Sequence, residues 1–186
     1  MTDISKFINR FDGGARPNLF KVTFTGVPTG GNLDADTLQV YCKAAQVPAT
    51  TLGAIPVNFM GRIVNIPGDR TFEDWTVTVI NDEAMTNRRF FEQWNAWFNG
   101  HLTNVGQGNG QSHINSLSQA TAVVEQLDRQ HKTQRAYTLK HVWCENVQAY
   151  DVSYNDNDTV SEFQVTFKYH GLSVGDAPSA NSAELG

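Results

Sequence analysis

The sequence predicts a mainly β protein of the α+β class: two antiparallel sheets packed as a sandwich or partly open barrel, with one α-helix covering an edge or open end. Three observations predict it. Apolar and polar residues alternate with period two through about seven runs, Gly/Pro/Asn/Asp clusters separate those runs, and a single stretch carries its apolar residues at helical spacing.

Taken in chain order, the first segment, MTDISKFINRF, has no apolar run of the kind a secretory leader carries, and residues 1–14 read as an N-terminal arm. Phe20, Val22 and Phe24 then alternate with Lys21, Thr23 and Thr25, which predicts a strand with one buried face. Leu38, Val40 and Cys42 repeat the pattern. Between the two lies GVPTGGNLDAD, Gly26 to Asp36, an extended hairpin connection whose tip is expected to project. After Pro48 the pattern turns irregular as far as Arg62, yet this loop, 44–61, carries Leu52, Ile55, Val57, Phe59 and Met60. So many apolar side chains must cover something: either the chain's own core or an adjacent subunit, and the residues alone leave both open.

Arg62 to Ile66 and Thr71 to Ile80 read as strands flanking a turn at Pro67, Gly68 and Asp69, because Pro presets φ and Gly accepts a positive φ. Asp69, Arg70, Glu73 and Asp74 read as turn and strand-edge charges, since no His or nucleophile lies near them in sequence to make an acid–base pair. The helix is expected over 81–99: Asn81 or Asp82 supplies an N-cap, and the acidic residues that follow suit the helix dipole. Phe90, Phe91, Trp94, Trp97 and Phe98 fall on one broad face, which reads as packing against a sheet rather than as a platform for bases or sugars. The glycine-rich stretch NVGQGNGQSH, Asn104 to His113, lacks the Lys-Ser/Thr ending of a phosphate-binding loop. Thr121 to Leu127, Arg135 to Trp143, Tyr150 to Tyr154 and Thr159 to Tyr169 complete the strands, and 171–186 reads as a flexible tail.

A chain of 186 residues is most simply one domain, 1–170 with its tail, able to bury about two thirds of its unfolded surface. The formal net charge is −5, and Lys and Arg are scattered without a basic stripe, which disfavours affinity-driven binding to nucleic acid. Cys42 and Cys144 form no CxxC pair, and His101, His113, His131, His141 and His170 are dispersed, so neither a metal site nor a cofactor site is expected and the chain does not read as an enzyme. No run of eighteen apolar residues predicts a membrane span, and a chain made and assembled in cytoplasm fits best.

Three stretches, ARPNLFKVTF (15–24), CKAAQVPA (42–49) and above all AIPVNFMGRIVNIPGDRTFEDWTVTVINDEA (54–84), closely resemble the tail tube protein of contractile-tailed, T-even-like bacteriophages. The words PGDRTFEDW and VINDEA in unbroken order are the most telling. The resemblance covers Ala15 to Asn99 well and Thr121 to Tyr169 more by strand pattern. It implies hexameric rings that stack into a conduit inside a contractile sheath, with a baseplate hub and a tail terminator as partners, in a virion. It also implies that the apolar loop meets a neighbouring subunit or ring, so Leu52, Ile55, Val57, Phe59, Met60, Arg62, Asp69 and Arg70 are expected at contacts between copies.

Thr76, Thr78, Glu162, Gln164, Thr166 and Lys168, on polar strand faces, are the candidates to face the bore, along which DNA would pass without specific binding; the pattern leaves open which sheet faces inward. Geometry agrees with a conduit: six copies each giving four strands make roughly 24 strands, which at ~4.8 Å spacing and ~40° tilt close at roughly 45 to 50 Å. This chain departs from the compact family pattern at Gly26 to Asp36, Leu102 to Gln119 and after Gly171. The alternatives are a tube of a bacterial contractile injection or secretion system, and, in a different class, a small-ligand-binding β-barrel.

Overall fold

The computed structural model describes residues 2–11, 14–28, 41–106, 120–155 and 157–176. Its elements in chain order are α1 (Thr2–Phe11), β1 (Phe20–Thr25), β2 (Cys42–Ala45), β3 (Thr50–Phe59), β4 (Arg62–Phe72), β5 (Trp75–Ile80), α2 (Thr86–Phe98), β6 (Thr121–Leu127), β7 (Thr133–Lys140), β8 (Trp143–Val147), β9 (Glu162–Lys168) and β10 (Gly171–Asp176). Two four-stranded antiparallel sheets, ordered β1-β6-β7-β10 and β2-β5-β9-β8, form the body, and β3 and β4 make a separate two-stranded ribbon. A mainly β fold of two antiparallel sheets is what the alternation predicts.

The sheets are held face to face by the period-two residues. Val22, Phe24, Ala122, Val124 and Leu139 point inward from the first sheet, and Trp75, Val77, Val79, Phe163, Val165 and Phe167 from the second, all buried. Helix α2 closes one side with Phe90, Phe91 and Trp94, and Asn95 Nδ2 donates to the carbonyls of Cys144 and Glu145 on β8. Phe24 sits where all three layers meet, its ring 5.4 Å from Phe167, 5.9 Å from Trp75, 6.0 Å from Trp94 and 6.1 Å from Phe91. The aromatic face of the helix is therefore core, as its spacing predicts, with Trp97 and Phe98 half-buried at its end.

Several boundaries differ from those read in the sequence, each for a local physical reason. The segment expected as a loop over 44–61 is mostly strand, and the expected turn at Pro67-Gly68-Asp69 lies inside β4. The reversal falls instead at Met60-Gly61, where φ of 45° and 78° makes the two-residue turn whose twist suits a hairpin. Pro67 is tolerated in β4 because a two-stranded ribbon leaves one side of each strand unpaired.

Helix α2 starts at Thr86, after a turn through Met85 at φ 54°. Asp82 still serves it from outside, its Oδ1 accepting the amide of Asn87 at 3.0 Å. Arg135 to Trp143 is two strands, because His141 at φ 57° turns the chain from the first sheet into the second. Tyr150 to Tyr154 forms no strand: past Gln148 the chain leaves the ladder, and the Arg88 guanidinium lies 5.1 Å from the Tyr150 ring. Residues 171–176, expected as the start of a tail, pair with β7 and lay Leu172 against the core. The arm contains a helix, α1. The expected strand at Leu38–Val40, most of the connection up to Asp36, and the stretches 107–113 and 177–186 lie outside the described residues.

Truncating Phe24 removes the ring shared by both sheets and α2, so Phe24→Ala is expected to lower unfolding free energy by about 3–5 kcal/mol. Urea denaturation checks this, and a loss under about 1 kcal/mol would show that the three layers do not depend on this ring.

Candidate assembly interface

Strands β2 and β5 are neighbours in the second sheet, and the ribbon is inserted between them in sequence, so it continues both strands beyond the body. Its base is tied down. The Trp75 indole N–H donates to the Gln46 carbonyl at 2.8 Å, the Tyr169 hydroxyl donates to the Ala49 carbonyl at 3.0 Å, and the Glu73 amide donates to the same carbonyl at 3.3 Å. Phe72 packs on Tyr169 with ring centroids 5.2 Å apart. Burial, then the Glu73 and Asp74 carboxylates, hold the Tyr169 phenol above its ordinary pKa, so it remains a donor.

Above this base the ribbon stands free for about 30 Å. A bulge between Leu52 and Ala54 brings Gly53 and Gly68 together so closely that a Cβ on Gly68 would lie 3.3 Å from the Gly53 carbonyl oxygen. Register then sets Ile55 opposite Ile66, Val57 opposite Val64 and Phe59 opposite Arg62, so these residues share one face. That face is apolar and open: Ile55 is 54% exposed, Phe59 64% and Val64 51%. Met60 crowns the turn at 89% exposed.

All eight residues predicted at contacts between copies thus lie on this ribbon. Leu52 faces Arg70 across it, Arg70 Nη1 donates to Thr50 Oγ1 at 3.2 Å, and Asp69 lies in the bulge. Val64 and Ile66 on the same face were not among those predicted, although their alternation with Asn65 is the signal for them; Ile63, exposed on the opposite face beside Asn58, was not predicted either. Also unpredicted is α1, where Ile4, Phe7, Ile8 and Phe11 repeat at helical spacing and all stand exposed.

The six predicted bore residues come together on the outer face of the second sheet. Thr76 pairs with Thr166, Thr78 with Gln164 and Ile80 with Glu162 in register. Lys168 contacts Asp74 and Glu145, both at 3.2 Å, and these bonds raise its pKa. Glu162 is ion-paired with Lys43. Lys43 and Glu145 are the residues set out by the bulges of β2 and β8, the two margins of this sheet.

Between the sheets, where a ligand-binding barrel would hold its ligand, Phe24, Trp75, Phe91, Trp94 and Phe167 fill the space. Among the described residues no group of His, Cys, Asp or Glu is gathered as a metal site requires. Burial raises the pKa of both thiols to about 12, with the Glu145 carboxylate adding to the effect at Cys144. A filled core, a four-stranded sheet whose margins pair with no further strand among the described residues, and an exposed apolar ribbon are the features of a structural subunit with surfaces left for contact, not of a protein that encloses a ligand.

The particular family follows from comparison with known proteins. Residues 15–174 match the phage tail tube protein family, and the chain belongs to it. It is 38% identical to the tail tube protein gp19 of Enterobacteria phage T4 over 84% of this chain and 90% of that protein. It is 25% identical to the tail tube protein of Serratia phage KSP90 over 91% of this chain and 95% of that protein. Among solved structures, a chain of the extracellular contractile injection system PVC sheath–tube complex superposes with a TM-score of 0.60 at 9% identity, covering 95% of this chain and 100% of that one. A chain of the anti-feeding prophage cap gives 0.61 at 10% identity, over 88% and 91%. These last two show the shared fold. Membership favours a phage tail tube protein, a structural component of the virion tail, over the secretion-tube and ligand-barrel alternatives.

Because the ribbon's apolar face packs on no part of the body among the described residues, Val57→Asp is expected to change unfolding free energy by no more than about 0.5 kcal/mol. Polymer yield should nonetheless fall at least about tenfold, since an unpaired carboxylate would have to enter an apolar contact. Denaturation and sedimentation of the same preparation check both parts.

Proposed function

We propose that six copies of this chain close a ring through the margins of the β2-β5-β9-β8 sheet, with Thr76, Thr78, Glu162, Gln164, Thr166 and Lys168 facing a central bore. Rings stack by laying the β3–β4 ribbon on the next copy, and the stack is the inner conduit through which DNA leaves the capsid. The observation that carries this reading is the ribbon: a long apolar two-stranded hairpin prolongs this very sheet, and its apolar face has no partner among the described residues. Contacts with a sheath, a baseplate hub and a terminator would use the outer surface, and assembly would take place in the host cytoplasm. The chain has no catalytic part in this.

The face assigned to the bore suits passage without capture. Hydroxyl and amide side chains occupy its middle, and its lysines lie against carboxylates, Lys43 on Glu162 and Lys168 on Asp74 and Glu145. A phosphate backbone therefore meets no uncompensated cation there, and the counterion release that drives nucleic-acid binding has little to act on. The bulged margins serve the closure. A bulge discourages indiscriminate edge pairing, and opposite charges at the two margins, Lys43 on β2 and Glu145 on β8, favour meeting head to tail around a ring.

A charge swap tests closure through these margins. Lys43→Glu alone is expected to reduce filament formation several-fold, and adding Glu145→Lys should restore it. Within one chain the double variant sets a carboxylate against Glu162 and an ammonium against Lys168, so any rescue must come from between copies. Electron microscopy with sedimentation reads the result. No effect of either change, or filaments whose bore is narrower than a duplex, would overturn the reading.

A further inference from the structure

Helix α1 is unexplained by the subunit that carries it. Ile4, Phe7, Ile8 and Phe11 lie at i, i+3, i+4 and i+7 and form one stripe, exposed by 69%, 61%, 65% and 53%. Phe7 and Phe11 stack at 4.9 Å, and no element of the body packs substantially along the helix. A helix of ten residues is shorter than the ~12–15 at which an isolated helix becomes even marginal in water, so it requires a surface. The β3–β4 ribbon is in the same position, since a lone two-stranded hairpin is also marginal. The chain thus carries two elements that need apolar cover, and neither covers the other within one copy.

We propose that α1 of one copy is the seat for the apolar face of the β3–β4 ribbon of a second copy, Ile4, Phe7, Ile8 and Phe11 packing against Ile55, Val57, Phe59 and Val64. This rests on the tube reading above and names the surface that receives the ribbon. Dimensions agree. The helical stripe runs about 10 Å from Ile4 to Phe11, and the ribbon's stripe about 14 Å from Ile55 to Phe59. Even with the whole exposed area of both stripes covered, one helix on one ribbon falls short of the ~1,200–2,000 Å² typical of stable two-body complexes. Such a contact does not hold two free subunits together. Repeated around a ring and gained together with edge pairing, it becomes strong through effective concentration. The subunit is therefore a soluble monomer until a template presents several contacts at once, and α1 becomes a stable helix only in the assembly.

Two measurements on the full chain test this. With Ile8→Cys and Val57→Cys in one chain, mild oxidation of assembled fibres should give a ladder of disulfide-linked multimers that neither single variant gives. Linkage only within single chains, or fibres that stay unlinked, would overturn the proposal. Should the double variant not assemble, hydrogen exchange on the unmodified protein decides. Amides of residues 4–11 should exchange freely in the subunit and become protected at least about tenfold in fibres, together with those of 54–66. Protection of 54–66 without 4–11 would sink the α1 seat while leaving the tube reading intact, and protection of neither would sink both. Protection of 4–11 in the free subunit, or by anionic phospholipid vesicles but not by fibres, would assign α1 to another surface and overturn the proposal.

Discussion

The structure is governed by one constraint: a two-stranded ribbon cannot bury its own apolar face. Two strands give a single layer, and a layer needs another layer against it before apolar side chains leave water. The body of the protein solves this with two sheets and a helix. The β3–β4 ribbon, rising beyond the body on a fixed base, has no second layer, so its Ile, Val and Phe side chains remain in solvent. Exposure of this extent in a folded protein marks an interaction surface. On a member of a tail tube family, such a surface is what the proposed contact with another copy would cover.

The division of labour between body and ribbon follows from where the large side chains lie. Phe24, Trp75, Phe91, Trp94 and Phe167 interlock in the middle of the body, and rings of this size supply most of the apolar burial that offsets the entropy of chain order. The subunit therefore stays folded while its assembly surfaces wait. The bonds at the ribbon base have the complementary role. Trp75, Tyr169 and Glu73 fix the direction in which the ribbon leaves the sheet, so in the proposed docking little orientational freedom would remain to be lost. A flexible loop with the same side chains would bind more weakly for that reason.

The legibility of the fold tracks burial. Strands β1, β5 and β9 and the aromatic face of α2 were readable because one face of each is fully enclosed, which forces period two or period 3.6 upon the residues. Of the ribbon, Arg62 to Ile66 reads as strand and Thr50 to Phe59 does not. Ile55, Val57 and Phe59 alternate with Pro56 and Asn58, but a proline within a run argues against a strand, the bulge at Gly53 and Gly68 interrupts the pattern, and the turn uses Met60 at positive φ, where Gly or Asn is expected. The Pro67-Gly68 pair is the stronger turn signal, but it marks the bulge. Residue types on the ribbon were nonetheless informative, because apolar side chains in a polar context need cover whatever the backbone does. Helix α1 escaped notice because ten residues hold only four apolar positions, too few to stand out against an arm.

Weak individual contacts also reconcile two demands on such a subunit. It must remain separate while it is synthesised, yet form a polymer that does not come apart under the passage of a genome. Contacts near the lower limit of stable interfaces meet the first demand, because a pair gains too little to offset the lost freedom of two bodies. The second is met by repetition. In the proposed tube each copy would engage neighbours on both sheet margins and through ribbon contacts at once, and releasing it would require breaking all of them together. Bulged margins sharpen this behaviour, since a strand edge with Lys43 or Glu145 set out from the ladder pairs poorly with an arbitrary strand and well with its complement. In the proposed ring the same charges, paired with Glu162 and Lys168 within each subunit, would leave the bore-facing wall without an unpaired lysine among the described residues, so the features that close the tube would also keep its inner surface from holding what moves along it.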